Sequence, residues 1–78
     1  MATQTDLKPW ILDALTALGG QAHWVDVAKH IWGAHEDELR ASGDLFYTWQ
    51  YKLGWAAKQL VDEGRLEKPG RGVWILRT

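Results

Sequence analysis

The sequence predicts an α+β fold, with a three-helix core, a short strand between the first two helices and a C-terminal β-hairpin. Apolar residues recur at helical spacing in three segments between residues 7 and 63, and a glycine follows each segment. Residues 66–76 instead form two short segments on either side of a turn that contains two glycines. We therefore expect the helices to form the core and the hairpin to pack beside them.

The first helix is predicted over residues 8–18. Its apolar positions share one stripe at helical spacing: Leu7, Ile11, Ala14, Leu15 and Leu18. Pro9 fits the first turn, where its missing N–H is not needed, and Gly19-Gly20 ends the helix. We expect residues 1–6 to be a flexible N-terminus and residues 7–78 to form one winged-helix domain.

The second helix is predicted over residues 25–32 and is expected to stop at Gly33. Its apolar residues at helical spacing are Val27, Ala28, Ile31 and Trp32. The segment 21–24 before it is short and extended, and it is a candidate third strand for the hairpin. Residues 36–41 after it could form a short helical turn, which Ser42-Gly43 would end.

The third helix is the longest and is predicted over residues 45–63. Its core stripe spans about 120° of the helix and contains Phe46, Trp49, Leu53, Ala56, Ala57 and Leu60. Asp44 precedes it and has a carboxylate suited to an N-cap, and Gly64 closes it. The opposite face is polar and aromatic: Thr48, Tyr51, Trp55, Lys58, Gln59 and Asp62, with Lys52 on its flank.

The end of the chain is predicted to be a hairpin with strands at 66–68 and 73–76. Pro69-Gly70-Arg71-Gly72 forms the turn, because two glycines can adopt positive φ. Among the tryptophans, Trp10, Trp32 and Trp49 are expected in the core.

Composition limits the chemistry. The chain has no cysteine, so a disulfide framework and thiolate metal site are excluded, and its three histidines form no His-Glu-x-x-His motif. We expect no metal, no cofactor and no enzymatic activity. No apolar run reaches the ~20 residues of a membrane span, and no signal peptide is recognisable. We therefore expect a cytoplasmic, nucleoid-associated protein.

Charge is divided unevenly along the chain, although the net charge is only −1. Residues 1–45 hold three Lys or Arg against seven Asp or Glu, whereas residues 46–78 hold six against three. A net negative charge is unusual for a protein that binds nucleic acid. The distribution nevertheless makes the C-terminal half the candidate surface for a polyanion.

The order helix, strand, helix, helix, hairpin is that of the winged helix-turn-helix. The third helix of such a domain buries one side and presents the other to the major groove of DNA. The stretch from Leu53 to Trp74 also closely resembles the N-terminal winged-helix domain of Mrr-type restriction proteins. The resemblance rests on Gly54-Trp55-Ala56, on the Leu, Gly and apolar residue that lead into the wing, and on Arg71-Gly72-Val73-Trp74.

This resemblance implies binding of double-stranded DNA. Members of the family usually carry a nuclease domain after the winged helix, and we expect none here, so binding without cleavage is implied. The candidate DNA-binding residues on the third helix and the wing are Thr48, Gln50, Tyr51, Lys52, Trp55, Lys58, Lys68 and Arg71. Gln pairs with adenine, Lys reaches guanine or phosphate, and arginine enters a narrow minor groove.

Two functions from different classes remain open. The first is a small bacterial or phage transcriptional regulator, in particular a repressor, which would bind DNA as a homodimer or at repeated sites. No small-molecule ligand is evident. The alternative is a protein–protein docking module built on a winged helix, which the low net charge, Tyr51 and Trp55 would suit. The salt dependence of binding discriminates the two.

Overall fold

The computed structural model describes residues 2–77 and contains three helices and one three-stranded antiparallel sheet. The elements in chain order are a 3₁₀ helix (Gln4–Asp6), α1 (Leu7–Ala17), β1 (Gln21–His23), α2 (Trp24–Arg40), α3 (Leu45–Asp62), β2 (Leu66–Gly70) and β3 (Val73–Leu76). The predicted α+β class is confirmed, and the arrangement is compatible with a winged helix-turn-helix.

The first helix ends one residue earlier than predicted. Its stripe is buried as far as Leu15, but Leu18 follows the last helical residue and is 38% exposed. The chain then reverses through Gly19 and Gly20, which have φ of 93° and 99°. The N–H of Gly20 donates to the carbonyl of Leu15 at 2.7 Å, which caps the helix.

The sheet has the order β1-β3-β2, so the extended segment near residue 22 does become the third strand. Ala22 pairs with Trp74, whose side chain is buried. Between Glu67 and Gly70, β2 has one more residue than β3 opposite it. Pro69 lies in this bulge, where its lack of an N–H costs no ladder hydrogen bond.

The first part of α2 ends about two residues later than the predicted stop at Gly33. The non-helical His35 (φ −130°, ψ 21°) divides α2 into two helical pieces, and the second piece, which ends at Arg40, corresponds to the short helical turn expected over residues 36–41. The second piece packs against the core, because Leu39 is fully buried and the His35 ring stacks on Trp10 with centroids 3.8 Å apart. Burial of a leucine contributes ~1.5–3 kcal/mol, which exceeds the ~1 kcal/mol that a helical glycine costs.

The predicted capping of α3 by the Asp44 carboxylate is also wrong. Asp44 already has helical dihedrals (φ −62°, ψ −27°), and its side chain makes no capping hydrogen bond. Its carbonyl instead accepts from the Tyr47 N–H at 3.0 Å. Along α3 itself the predicted stripe is buried from Trp49 to Leu60, whereas Phe46 is only half-buried.

Residues 2–6, expected within a flexible N-terminus, follow a defined path across the helices. Ala2 is buried, and its N–H donates to the Ser42 hydroxyl at 3.0 Å. The 3₁₀ helix that follows packs against α1 and α3. This segment therefore forms one wall of the surface described next.

Candidate functional site

Three shallow grooves flank α3. The aromatic groove, of about 450 Å³, lies on the surface between α2 and α3. It is lined by Trp24, Val25, Ala28, Lys29, Trp32, Phe46, Trp49 and Gln50. The wing groove, of about 350 Å³, separates α3 from the hairpin and is lined by Trp24, Gln50, Leu53, Gly54, Lys68, Gly72 and Trp74. The N-terminal groove, of about 650 Å³, is lined by Gln4, Tyr51, Lys52, Gly54, Trp55 and Lys58.

The charged residues that line these three grooves are all lysines. Lys29 lies in the aromatic groove, Lys68 in the wing groove, and Lys52 and Lys58 in the N-terminal groove. No Asp or Glu lines any of the three. The acidic run of residues 36–38 lines a separate depression near the end of α2. The three grooves beside α3 therefore contain only positive charge, in a chain whose net charge is −1.

Three cationic side chains are already paired: Lys8 with Glu63, Arg40 with Glu36 and Arg77 with Glu67. Within residues 2–77, no carboxylate lies within 4.0 Å of the other six, which are Lys29, Lys52, Lys58, Arg65, Lys68 and Arg71. All four groove lysines belong to this second set. Their ammonium groups are thus available to an anionic ligand without breaking an ion pair.

The tip of the hairpin is fixed against the start of α2. The N–H of Trp24 donates to the carbonyl of Gly72 at 2.8 Å. A Cβ at position 72 would lie 2.6 Å from His23 Nε2 and 2.9 Å from Trp24 Cδ1, so a side chain there would require these neighbours to move. Trp24 and Gly72 both line the wing groove, so this hydrogen bond lies in its wall.

The turn itself has two residues with positive φ, Arg71 at 56° and Gly72 at 75°. Such a two-residue turn matches the twist of the strands, and it usually has Asn rather than Arg at the first position. A left-handed arginine costs about 1 kcal/mol. Arg71 is exposed at the tip, so the turn presents a guanidinium group to solvent.

The wing groove brings together two of the predicted residues from distant parts of the chain. Lys68 extends over the Trp74 ring, with Nζ 5.8 Å from the ring centroid. Gln50 lies opposite on α3 and also lines the aromatic groove. The amide of Gln50 and the ammonium of Lys68 therefore border the same groove.

Four other predicted residues lie around the N-terminal groove. Tyr51 is 81% exposed, Trp55 is half-buried against the core, and Lys52 and Lys58 line the same groove. Thr48 lines none of the grooves, and its hydroxyl donates to the Asp44 carbonyl at 3.2 Å. The predicted site is thus divided between the two sides of α3.

Sequence reasoning missed several residues of this surface. Tyr47 is 82% exposed one helical turn before Tyr51, a spacing that could have revealed it. Trp24 was expected in the extended segment, but it begins α2 and lines two grooves. Lys29 lines the aromatic groove without any local motif to mark it.

Gly54 is the most unusual of the missed residues. It lies in the interior of α3 and is exposed, and a Cβ there would meet nothing within 4 Å. Glycine at such a position is about 1 kcal/mol less favourable than alanine. Gly54 lines both the wing groove and the N-terminal groove. The packing of the domain therefore gives no reason for a glycine at this point.

Comparison with protein-family models, curated proteins and solved structures finds no match to this chain. The resemblance to Mrr-type domains accordingly stays a prediction from the residues quoted above. Among residues 2–77, no three His, Asp or Glu side chains come together as a metal site. Over the same residues, every helix is too short or too polar to span a membrane.

Proposed function

We propose that this protein binds double-stranded DNA, with α3 in the major groove and the hairpin on the sugar–phosphate backbone or in the minor groove. One observation carries the proposal: four lysines without carboxylate partners line the grooves around α3, and no acidic residue does. Phosphate neutralisation by such side chains is the main sequence-independent source of affinity for DNA.

The shape of the surface supports the same function. A major groove about 12 Å wide admits one α-helix, and α3 is flanked by grooves on both sides. Gln50, Tyr47 and Tyr51 supply exposed amide and hydroxyl groups on this helix. Glutamine recognises adenine through paired hydrogen bonds, so Gln50 is a candidate for direct base contact.

The biological role that we propose is repression of transcription in the cytoplasm, by occupation of a promoter and without catalysis. A single small DNA-binding module buries only ~600–1,000 Å² of protein surface on DNA, which limits its specificity. We therefore propose that two copies act together, as a homodimer or side by side at repeated sites.

The decisive experiment is selection of duplexes from a random-sequence pool by the purified protein. Enrichment of one motif, with affinity reduced in Lys68→Ala and Gln50→Ala, would support the proposal. Lys8→Ala is the matched control, because Lys8 is already paired with Glu63. Binding no better than that of a scrambled duplex at moderate salt would contradict sequence-specific recognition.

A second candidate function is docking of another protein in the aromatic groove. Trp24 is 38% exposed there, beside Trp32 and Phe46, and exposed aromatic residues are enriched at protein interfaces. Trp24→Ala would then abolish partner binding, and salt would have little effect. DNA binding instead requires a steep loss of affinity as salt increases.

A further inference from the structure

We infer that Gly54 marks the point where DNA comes closest to α3, with the DNA lying against the helix backbone between the wing groove and the N-terminal groove. The inference rests on the proposed function. It assigns Gly54 to the DNA contact surface, where the close approach of DNA depends on the absence of a side chain.

The domain itself does not require a glycine at position 54. Five glycines of the described chain besides Gly72 have positive φ, a backbone conformation that residues with a side chain rarely adopt. Gly72 also meets His23 and Trp24 closely. Gly33 is helical, but it lies two residues before the non-helical His35. Gly54 alone lies within a helix without any such break, in a helical conformation that alanine would favour.

Gly54 lies on the surface where two grooves meet. Among residues 2–77, it is the only residue shared by the wing groove and the N-terminal groove. A side chain here would stand on the ridge between the two grooves. Because glycine has none, a ligand backbone can approach the helix closely at this point and extend into both grooves.

The charges on both sides of Gly54 indicate which ligand would bind there. Lys68 lies on one side of the ridge and Lys52 and Lys58 lie on the other, with no acidic residue in either groove. A ligand that crosses Gly54 thus meets positive charge at both ends of its path. A polyanion with regularly spaced phosphates suits this arrangement, and duplex DNA in contact with a helix has that property.

The test uses two alanine substitutions matched in local structure. Gly54→Ala and Gly33→Ala both add a methyl group to an exposed helical glycine with open space around it. Each is expected to raise the melting temperature by roughly 4–8 °C. Only Gly54→Ala is expected to weaken binding of a labelled duplex, enriched from the random pool, by roughly tenfold or more.

Damage to the fold would lower the stability as well as the affinity for DNA. A variant that is more stable but binds DNA less well has therefore lost a contact with DNA and not its fold. Gly54→Leu extends the series, and it should weaken duplex binding further than Gly54→Ala does. If Gly54→Ala binds the duplex like the unsubstituted chain while Lys68→Ala binds it weakly, the inference is overturned and the proposed function stands. If Gly54→Ala lowers the melting temperature, the fold itself needs the glycine and the inference is also overturned. If the unsubstituted chain binds no duplex, both are overturned.

Discussion

The carbonyl of Gly72 accepts a hydrogen bond of 2.8 Å from the N–H of Trp24, which joins the tip of the hairpin to the first turn of α2. An N–H at a helix start has no partner within its own helix, so this bond satisfies a group that would otherwise need solvent or a cap. It also holds Lys68 and Gly72 at the edge of α3, where they line the wing groove.

We predict that Gly72→Ala destabilises the domain by about 1–3 kcal/mol. The added methyl group would overlap His23 and Trp24, and alanine is strained at a φ of 75°. Urea unfolding measures the change. His23→Ala in the same chain should recover part of the loss, because it removes the closest atoms. If the losses of stability in Gly72→Ala and His23→Ala simply add in the double variant, the overlap between the two residues does not explain the destabilisation by Gly72→Ala.

We predict that Leu39→Ala lowers the free energy of unfolding by about 2–5 kcal/mol, as expected for a leucine in a packed core. Leu39 is fully buried in the part of α2 beyond Gly33. Leu18→Ala serves as the control, because Leu18 is partly exposed at the end of α1, and it should cost much less. Equal and small losses in both variants would indicate that the second half of α2 does not pack as described.

We predict that Arg71→Asn stabilises the domain by about 1 kcal/mol and weakens binding to DNA. Asparagine is the favoured first residue of this turn, so it relieves the strain of a left-handed arginine. The exposed guanidinium group is lost at the same time. Thermal unfolding and duplex titration measure the two effects. Unchanged affinity would exclude Arg71 from the DNA contact surface.

We predict that Lys68→Ala weakens duplex binding and reduces the slope of log affinity against log salt by about one. Lys68 has no carboxylate of residues 2–77 within 4.0 Å, and it borders the same groove as Gln50. Lys8→Ala should leave the slope unchanged, since its partner is Glu63. An identical slope in Lys68→Ala would remove the wing from the interface.

The helices were predictable because their core stripes are local patterns. The burial of Ile11 and Leu53 follows from helical spacing alone. The packing of the short helical piece after His35 was not predictable in this way, since it depends on the stacking of His35 on Trp10 and on the burial of Leu39. Both contacts join residues that no short window of sequence brings together.

The surface was predictable only as a set of residues on α3 and the hairpin. Its division into grooves depends on what packs beside α3, namely Trp24 from α2 on one side and Gln4 on the other. Gly54 entered the sequence analysis only within the Gly54-Trp55-Ala56 resemblance and not as a contact residue, because a glycine inside a helical pattern is usually regarded only as an unfavourable residue. Its significance comes from the open space and the two grooves around it.

The salt dependence of binding to the duplex enriched from the random pool tests the central claim most directly. Three or four phosphate contacts by the groove lysines predict a slope of log affinity against log salt of roughly −3 to −4 for one protein copy. Affinity should then fall roughly 100-fold between about 50 and 200 mM salt. Affinity that stays constant over this range would contradict recognition of DNA by the lysines around α3.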